Sequence, residues 1–207
     1  MNSHKRITIV EPHYDDAWIN LGGYILKHPE IDFKIISVSY DGFNKAYETQ
    51  KLSNLLPNVK TKALKFRGIH WNLIHRIKRE NYVRYFLKVN KLEFLSDVSK
   101  IIEDECKDQD LVIMPLGTLH PQHVVVSSLS LKLPTKCYIE WPYCYEDVGY
   151  FDNLMPRADV IDISDVINRK VEIFSQVYKT QIDLLEMVPK SGTLLSKNYR
   201  EIIVPRI

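Results

Sequence analysis

No two of the seven glycines, at 22, 23, 42, 68, 117, 149 and 192, are separated by a single residue. A G-x-G-x-x-G fingerprint is therefore absent, as is G-x-x-x-x-G-K, and the usual phosphate-cradling loops are excluded. There is no G-x-S-x-G elbow, so serine hydrolysis has no support. The three cysteines, Cys106, Cys137 and Cys144, form no C-x-x-C pair, and an odd count at such spacings suggests neither a disulfide framework nor a redox motif. Apolar runs are short as well. Ile7–Val10 is followed at once by Glu11, too little for a signal-peptide core, and no run nears the ~20 residues of a membrane span. These absences set the expectation of a cytoplasmic protein without a transmembrane segment.

What is present is an ordinary globular composition: 207 residues, 45% hydrophobic and 26% charged. A chain of this length buries roughly 70% of its unfolded surface without disulfide or structural metal, and one domain spanning 1–207 is expected. The net charge of +2 conceals an asymmetry. Residues 60–92 hold ten Lys/Arg against Glu80 alone, a net +9, and residues 93–110 carry a net −5.

RITIV (6–10) reads as a strand buried on both faces, followed by a helical pattern over 17–27. FKIISVS (33–39) is a second strand, residues 45–56 a polar helix and 62–66 a weaker strand; 67–90 resists assignment. Apolar residues at 92, 95, 98, 101 and 102 predict a helix over 91–106. LVIM (111–114) is a short buried strand, 124–131 a helix, 137–141 a strand and 166–185 a long amphipathic helix. This alternation predicts an α/β fold, a Rossmann-like three-layer sandwich with a mainly parallel sheet. Such folds bind ligands where strands end at their carboxyl edge.

That rule singles out two loops. Glu11-Pro12-His13-Tyr14-Asp15-Asp16 follows the first strand, and Gly117-Thr118-Leu119-His120-Pro121-Gln122-His123 follows the strand at 111–114. Three imidazoles and two adjacent carboxylates are the donor types of a catalytic zinc site, which takes three N/O ligands and keeps one position for water. Taken singly, either loop has a plain structural reading: Asp15 or Asp16 caps the next helix, and His-Pro forms a turn. Two such loops on strands that a parallel sheet can set side by side favour the site.

Pro12-His13-Tyr14-Asp15-Asp16 resembles the P-H-P-D-D motif of the PIG-L/LmbE-like zinc-dependent N-deacetylases, and His120-Pro121-Gln122-His123 resembles that family's H-P-D-H. Looser likenesses are Asp41-Gly42, Glu48, and Lys170 with Tyr178-Lys179-Thr180-Gln181; together they cover about residues 7–187. The resemblance implies Zn2+, or another divalent metal, held by His13, Asp16 and His123. It implies Asp15 as the general base for a zinc-bound water and His120, protonated, as the oxyanion-stabilising partner and a proton source for the leaving amine. The reaction implied is removal of an N-acyl group, acetyl in most relatives, from an amino sugar or sugar conjugate. Tyr14, Ala17 and Gln122 depart from the family pattern, and Gln122 in place of aspartate predicts a lower His120 pKa. Lys45 stands near the position of a family arginine.

Asp41, Lys45, Gln122 and Trp141 are the candidate substrate contacts. The basic stretch, interleaved with Phe66, Trp71, Tyr82, Tyr85 and Phe86, reads first as a solvated face with inward aromatics. Its functional alternative is a pocket rim for a nucleotide-sugar or a phosphorylated amino sugar. A nucleic-acid partner would leave both histidine loops unexplained and is not expected. The competing view of the whole chain is a non-catalytic glycan- or metabolite-binding member of the same fold. His4, His28, His70 and His75 have no partner at ligand spacing. Oligomeric state is left open by the sequence.

Overall fold

The computed structural model describes residues 5–40, 43–69, 76–117, 120–140, 155–179 and 200–206. β1 (Arg6–Glu11) is the β-branched run with one glutamate added, buried from Ile7 onward. It is followed by α1 (Asp16–Lys27), β2 (Asp32–Tyr40), α2 (Phe43–Leu55) and β3 (Val59–Arg67). A 3-10 turn at Arg79–Asn81 leads into α3 (Tyr82–Asn90), then α4 (Leu95–Cys106), β4 (Leu111–Pro115) and α5 (Pro121–Ser127). β5 (Thr135–Tyr138), β6 (Asp159–Asp162), α6 (Ile167–Val177) and β7 (Arg200–Pro205) complete the described elements.

The described strands form a seven-stranded sheet in the order β3-β2-β1-β4-β5-β7-β6. The first five run parallel, and β7 lies antiparallel between β5 and β6. The expected α/β sandwich with a mainly parallel sheet is what the chain adopts, while the antiparallel end was not foreseen. β6 is four residues long and largely exposed, so it carries little apolar pattern to read.

Central β1 alternates its side chains between two cores. Ile7 and Ile9 join Trp18, Leu21, Leu52 and Phe174 on one face. Val10 joins Tyr82, Phe86, Val98, Ile102 and Val125 on the other. These side chains come from α1, α2 and α6 on the first face and from α3, α4 and α5 on the second.

Two helix boundaries and the length of one strand differ from the sequence reading, each for a local reason. The pattern over 91–106 is broken because Lys91 adopts a left-handed conformation (φ 54) and closes α3, with Leu92 N–H bonded to Leu87 C=O at 2.9 Å. Leu92 thus falls in a loop that happened to be in phase with α4. The helix placed at 124–131 instead begins at Pro121, where the fixed φ of proline suits a first turn and His120 caps it. β3 runs from 59 to 67, longer than expected, because its outward lysines dilute the apolar signal and a register shift opposite Ser37/Ser39 interrupts it. The helix expected over 166–185 ends at Val177, where Tyr178 is its C-cap.

Two features set up the site. β1 pairs with β4 through Ile7↔Leu111 and Ile9↔Ile113, and at this pair the strand order reverses, so neighbouring connections depart to opposite faces and leave a crevice. α1 is also pinned from behind. Lys170 Nζ donates to Ile19 C=O at 2.6 Å and to Glu201 Oε1 at 2.7 Å, and Glu201 accepts the N–H groups of Gly23 (2.8 Å) and Tyr24 (2.6 Å). Lys170, matched to the family through its late helix, therefore ties α6 and β7 to the helix that carries Asp16.

Candidate active site

The loop from Pro12 to Asp15 is held in place by Ser39 N–H, which donates to Pro12 C=O at 3.0 Å. Helix capping falls to Glu11, whose Oε2 accepts Ala17 N–H at 2.8 Å while Oε1 accepts the Ser37 hydroxyl. Asp15 makes no capping hydrogen bond, and Asp16 Oδ2 turns back to accept His13 N–H at 2.8 Å. The plain capping account of the Asp pair therefore does not hold: another carboxylate does that work.

Asp16 is the hub of the site. Its Oδ2 lies 3.0 Å from His13 Nδ1 and its Oδ1 3.3 Å from His123 Nε2. One ring nitrogen from each of His13, His120 and His123 lies within 4.8 Å of the others, with the His13 and His120 rings edge-on at a 4.6 Å centroid separation. Two imidazoles and a carboxylate, with a third imidazole adjacent, are an N/O donor set suited to zinc. His123, Asp16 and His120 are almost wholly buried, a burial costly for such polar groups unless something compensates it. The residues present fit a divalent ion.

The electrostatics follow from that crowding. Burial opposes ionisation of Asp16, but the neighbouring His123 and His13 outweigh it and hold the carboxyl well below its ordinary range. His123 moves the other way: burial alone would lower it, yet Asp16 and Glu140 raise it. His120 is pushed down to about 2, first by burial and then by repulsion from His13 and His123, with Asp16 pulling weakly upward. The lowered direction agrees with the expectation, but its causes are burial and two imidazoles rather than Gln122. That shift favours the neutral ring over the protonated one that the resemblance implies. Its Nδ1 accepts Gln122 N–H at 3.2 Å, so the ring proton sits on Nε2.

Two buried carboxylates went unassigned in the sequence. Glu140, just past β5, accepts from His123 Nδ1 at 2.9 Å and takes Gly117 N–H on both oxygens at 3.0 and 3.1 Å. It fixes the His123 tautomer and leaves Nε2 turned to Asp16. Glu11 is raised well above the usual carboxylate range by burial, despite its bonds from Ser37 and Ala17, with Asp16 and Asp15 adding to the shift. The available signal was the same for both: a lone acidic residue ending an apolar strand, RITIV-E and CYI-E.

The structure brings His13, Asp16, His120 and His123 together, and Asp15, next to Asp16 in the chain, is buried. Gln122, expected as a substrate contact, is only 1% exposed, and its amide oxygen and nitrogen make no hydrogen bond among the described residues. Asp41 and Trp141 lie outside the described residues, and Lys45 sits on α2 with its side chain outside them too.

No protein-family model matches the chain, and no curated protein matches it. Solved structures do. The A40926 pseudoaglycone deacetylase Dbv21 is 16% identical with a TM-score of 0.62, covering 98% of this chain and 97% of that one. The zinc-inhibited form of teicoplanin deacetylase Orf2 is 15% identical with a TM-score of 0.65, covering 97% of each chain. The N,N'-diacetylchitobiose deacetylase from Pyrococcus horikoshii is 15% identical with a TM-score of 0.56, covering 99% of this chain and 85% of that one. Among the described residues no helix is long and apolar enough to cross a membrane. With the two histidine loops at the β1/β4 switch point, the chain shares the fold of these solved deacetylases.

Proposed function

We propose that this protein is a metal-dependent hydrolase that removes an N-acyl group, acetyl foremost, from an amino sugar or sugar conjugate. The observation that carries the reading is the convergence of His13, Asp16, His123 and His120 beside Asp15, at the switch point of a fold shared with carbohydrate and glycopeptide deacetylases. His13, Asp16 and His123 are the ligands proposed for Zn2+, whose Lewis acidity would activate water and polarise the acyl carbonyl.

The chain's own residues account for the remaining steps. Asp15 takes the proton of the attacking water and returns it to the departing amine. His120, neutral with its proton on Nε2, donates a hydrogen bond to the developing oxyanion; no positive charge on the ring is needed. Glu140 keeps His123 in the tautomer that presents Nε2. Burial of Asp16 and His123 excludes bulk water and strengthens these interactions.

The test is amine release from N-acetylglucosamine and diacetylchitobiose by metal-stripped protein, reloaded in turn with Zn2+, Co2+, Mn2+ or Fe2+. One zinc-inhibited neighbour makes an excess-zinc arm informative. Activity that returns with metal and disappears in Asp15→Ala supports the reading. Full activity of Asp15→Ala, or protein that takes up no metal, overturns it.

A further inference from the structure

A buried ion pair outside the site reaches into the backbone of α1. Lys170 comes from α6 and Glu201 from β7; their side chains are 13% and 2% exposed and lie 2.7 Å apart. In a regular α-helix the N–H groups of Gly23 and Tyr24 serve the carbonyls of Ile19 and Asn20. Here Glu201 accepts both N–H groups, at 2.8 and 2.6 Å, and Lys170 Nζ donates to the Ile19 carbonyl at 2.6 Å. The Lys170 carbonyl in turn accepts Trp18 Nε1–H at 3.1 Å. Glycines at 22 and 23 make this approach possible. A Cβ at Gly22 would lie 2.9 Å from the Trp18 ring and 3.2 Å from Lys170 Cε, and one at Gly23 would lie 2.4 Å from Ile163 Cγ2.

Apolar burial is non-directional. The buried Trp18, Leu21 and Ile25 fix how far α1 stands from the core but leave it free to slide along its axis. Directional bonds do not. Glu11 holds the first turn through Ala17 N–H, and the Lys170–Glu201 pair holds the middle, so axial position and tilt are both set. Asp16 is the first residue of α1. His123, its partner, belongs to α5 and is held separately by Glu140. The 3.3 Å from Asp16 Oδ1 to His123 Nε2 therefore spans two independently anchored elements. A slip of α1 by one residue moves Asp16 about 1.5 Å, whereas a functional constellation tolerates about 0.5 Å.

We propose that Lys170 and Glu201 are a positioning pair which, through the backbone of α1, sets Asp16 against His123 for metal binding. The proposal rests on the metal-dependent hydrolase reading and adds two residues to it. Both act on the ligand set through the helix that carries Asp16. Replacing a buried ion pair by uncharged groups of similar size is often close to neutral for stability. Metal affinity and stability are therefore separable, and a pair that only held the fold together would move the second without the first.

The experiment measures Zn2+ affinity, by competition with a fluorescent chelator, and thermal unfolding of the full chain. Lys170→Met/Glu201→Gln removes both charges and avoids a lone buried one. Should it not fold, Glu201→Gln, which keeps one acceptor oxygen, carries the test. Ile25→Ala, a cavity on the same helix, controls for lost stability alone. We expect Zn2+ binding to weaken about 10-fold or more in the pair variants and to stay unchanged in Ile25→Ala despite its own fall in Tm. Wild-type affinity in the pair variants, or an equal loss in Ile25→Ala, overturns the positioning role and leaves the hydrolase reading intact. If the wild type takes up no Zn2+, the hydrolase reading fails, and histidine side-chain 15N resonances of the metal-free chain decide the pair separately. His13 and His123 both face Asp16 at hydrogen-bonding or ion-pair distance. Signals of these two that move in the pair variants and stay in Ile25→Ala support the proposal. Signals unmoved in the pair variants, or moved equally in Ile25→Ala, overturn it.

Discussion

Glu140→Gln changes the buried carboxylate that holds His123. Glu140 has no exposed surface and serves two donors, His123 Nδ1 at 2.9 Å and Gly117 N–H at 3.0 and 3.1 Å. The amide of Glu140→Gln keeps one oxygen, sufficient for one donor, and sets an NH2 group where the second oxygen stood. Hydrogen bonds to a charged acceptor contribute about 1.5–3 kcal/mol each, so losing one and weakening the other costs about 2 kcal/mol. At this chain length about 1 kcal/mol corresponds to roughly 2–4 °C in Tm, which gives an expected fall of about 4–8 °C. Glu140→Ala leaves both donors buried without an acceptor and should fall further. The second readout is metal affinity, because freeing Nδ1 lets the His123 ring turn; partners of this kind are worth about 10–100-fold. Thermal unfolding and competition with a fluorescent chelator measure the two quantities. Wild-type Tm together with wild-type metal affinity in Glu140→Gln would refute the argument that Glu140 orients His123.

Asp15→Asn should lower kcat by about 10²–10⁴-fold, the range for loss of a general base, with metal content unchanged; metal loss instead would make Asp15 a ligand. Gly117→Ala should destabilise by about 2–4 kcal/mol, since the new Cβ would sit 1.9 Å from Ser127 Oγ and 2.5 Å from Ser127 Cβ at a φ of +91, combining overpacking with backbone strain. Adding Ser127→Ala removes only the hydroxyl clash, so urea midpoints of the double variant should recover part of the loss. Glu105→Gln probes pH dependence. Hydrogen bonds from Lys34 and then Lys62 hold this carboxyl below its ordinary range, so its stabilisation is present above the unfolded value of about 4.3 and is lost as pH falls through the lower folded value. The pairs are partly exposed and worth about 1 kcal/mol together. The wild-type advantage over Glu105→Gln should be constant above about pH 5 and shrink below about pH 4; a constant gap down to pH 2 counts against it.

Much of the fold was readable because burial writes itself into composition. RITIV and LVIM are apolar without alternation since both strands are covered on two faces, and they emerged as the central pair β1 and β4. β6 and the full length of β3 were not readable, because an edge strand with exposed lysines or aspartates resembles a loop in sequence. The α3/α4 boundary was hidden for another reason: Lys91 takes a left-handed conformation that more often falls to glycine or asparagine, and nothing in its identity announces this. In the site, His13, Asp15, Asp16, His120 and His123 were legible as unusual polar clusters at strand ends. Glu140 was not, because its importance lies in two partners 17 and 23 residues away.

The sequence by itself determined the chemistry on offer: three imidazoles and an Asp pair, no phosphate loop, no serine elbow, and a basic run of net +9. Those are properties of residue type and spacing, and they survive any fold. Only the tertiary structure decided how they are used. It took the helix cap away from Asp15 and Asp16 and gave it to Glu11. It lowered the pKa of His120, first by burial and then through two neighbouring imidazoles, and it moored the basic run to the loop before His120 through Arg79 and Gly117. Each of these outcomes depends on contacts between residues remote in the chain, where burial and distance, rather than residue identity, set the energies.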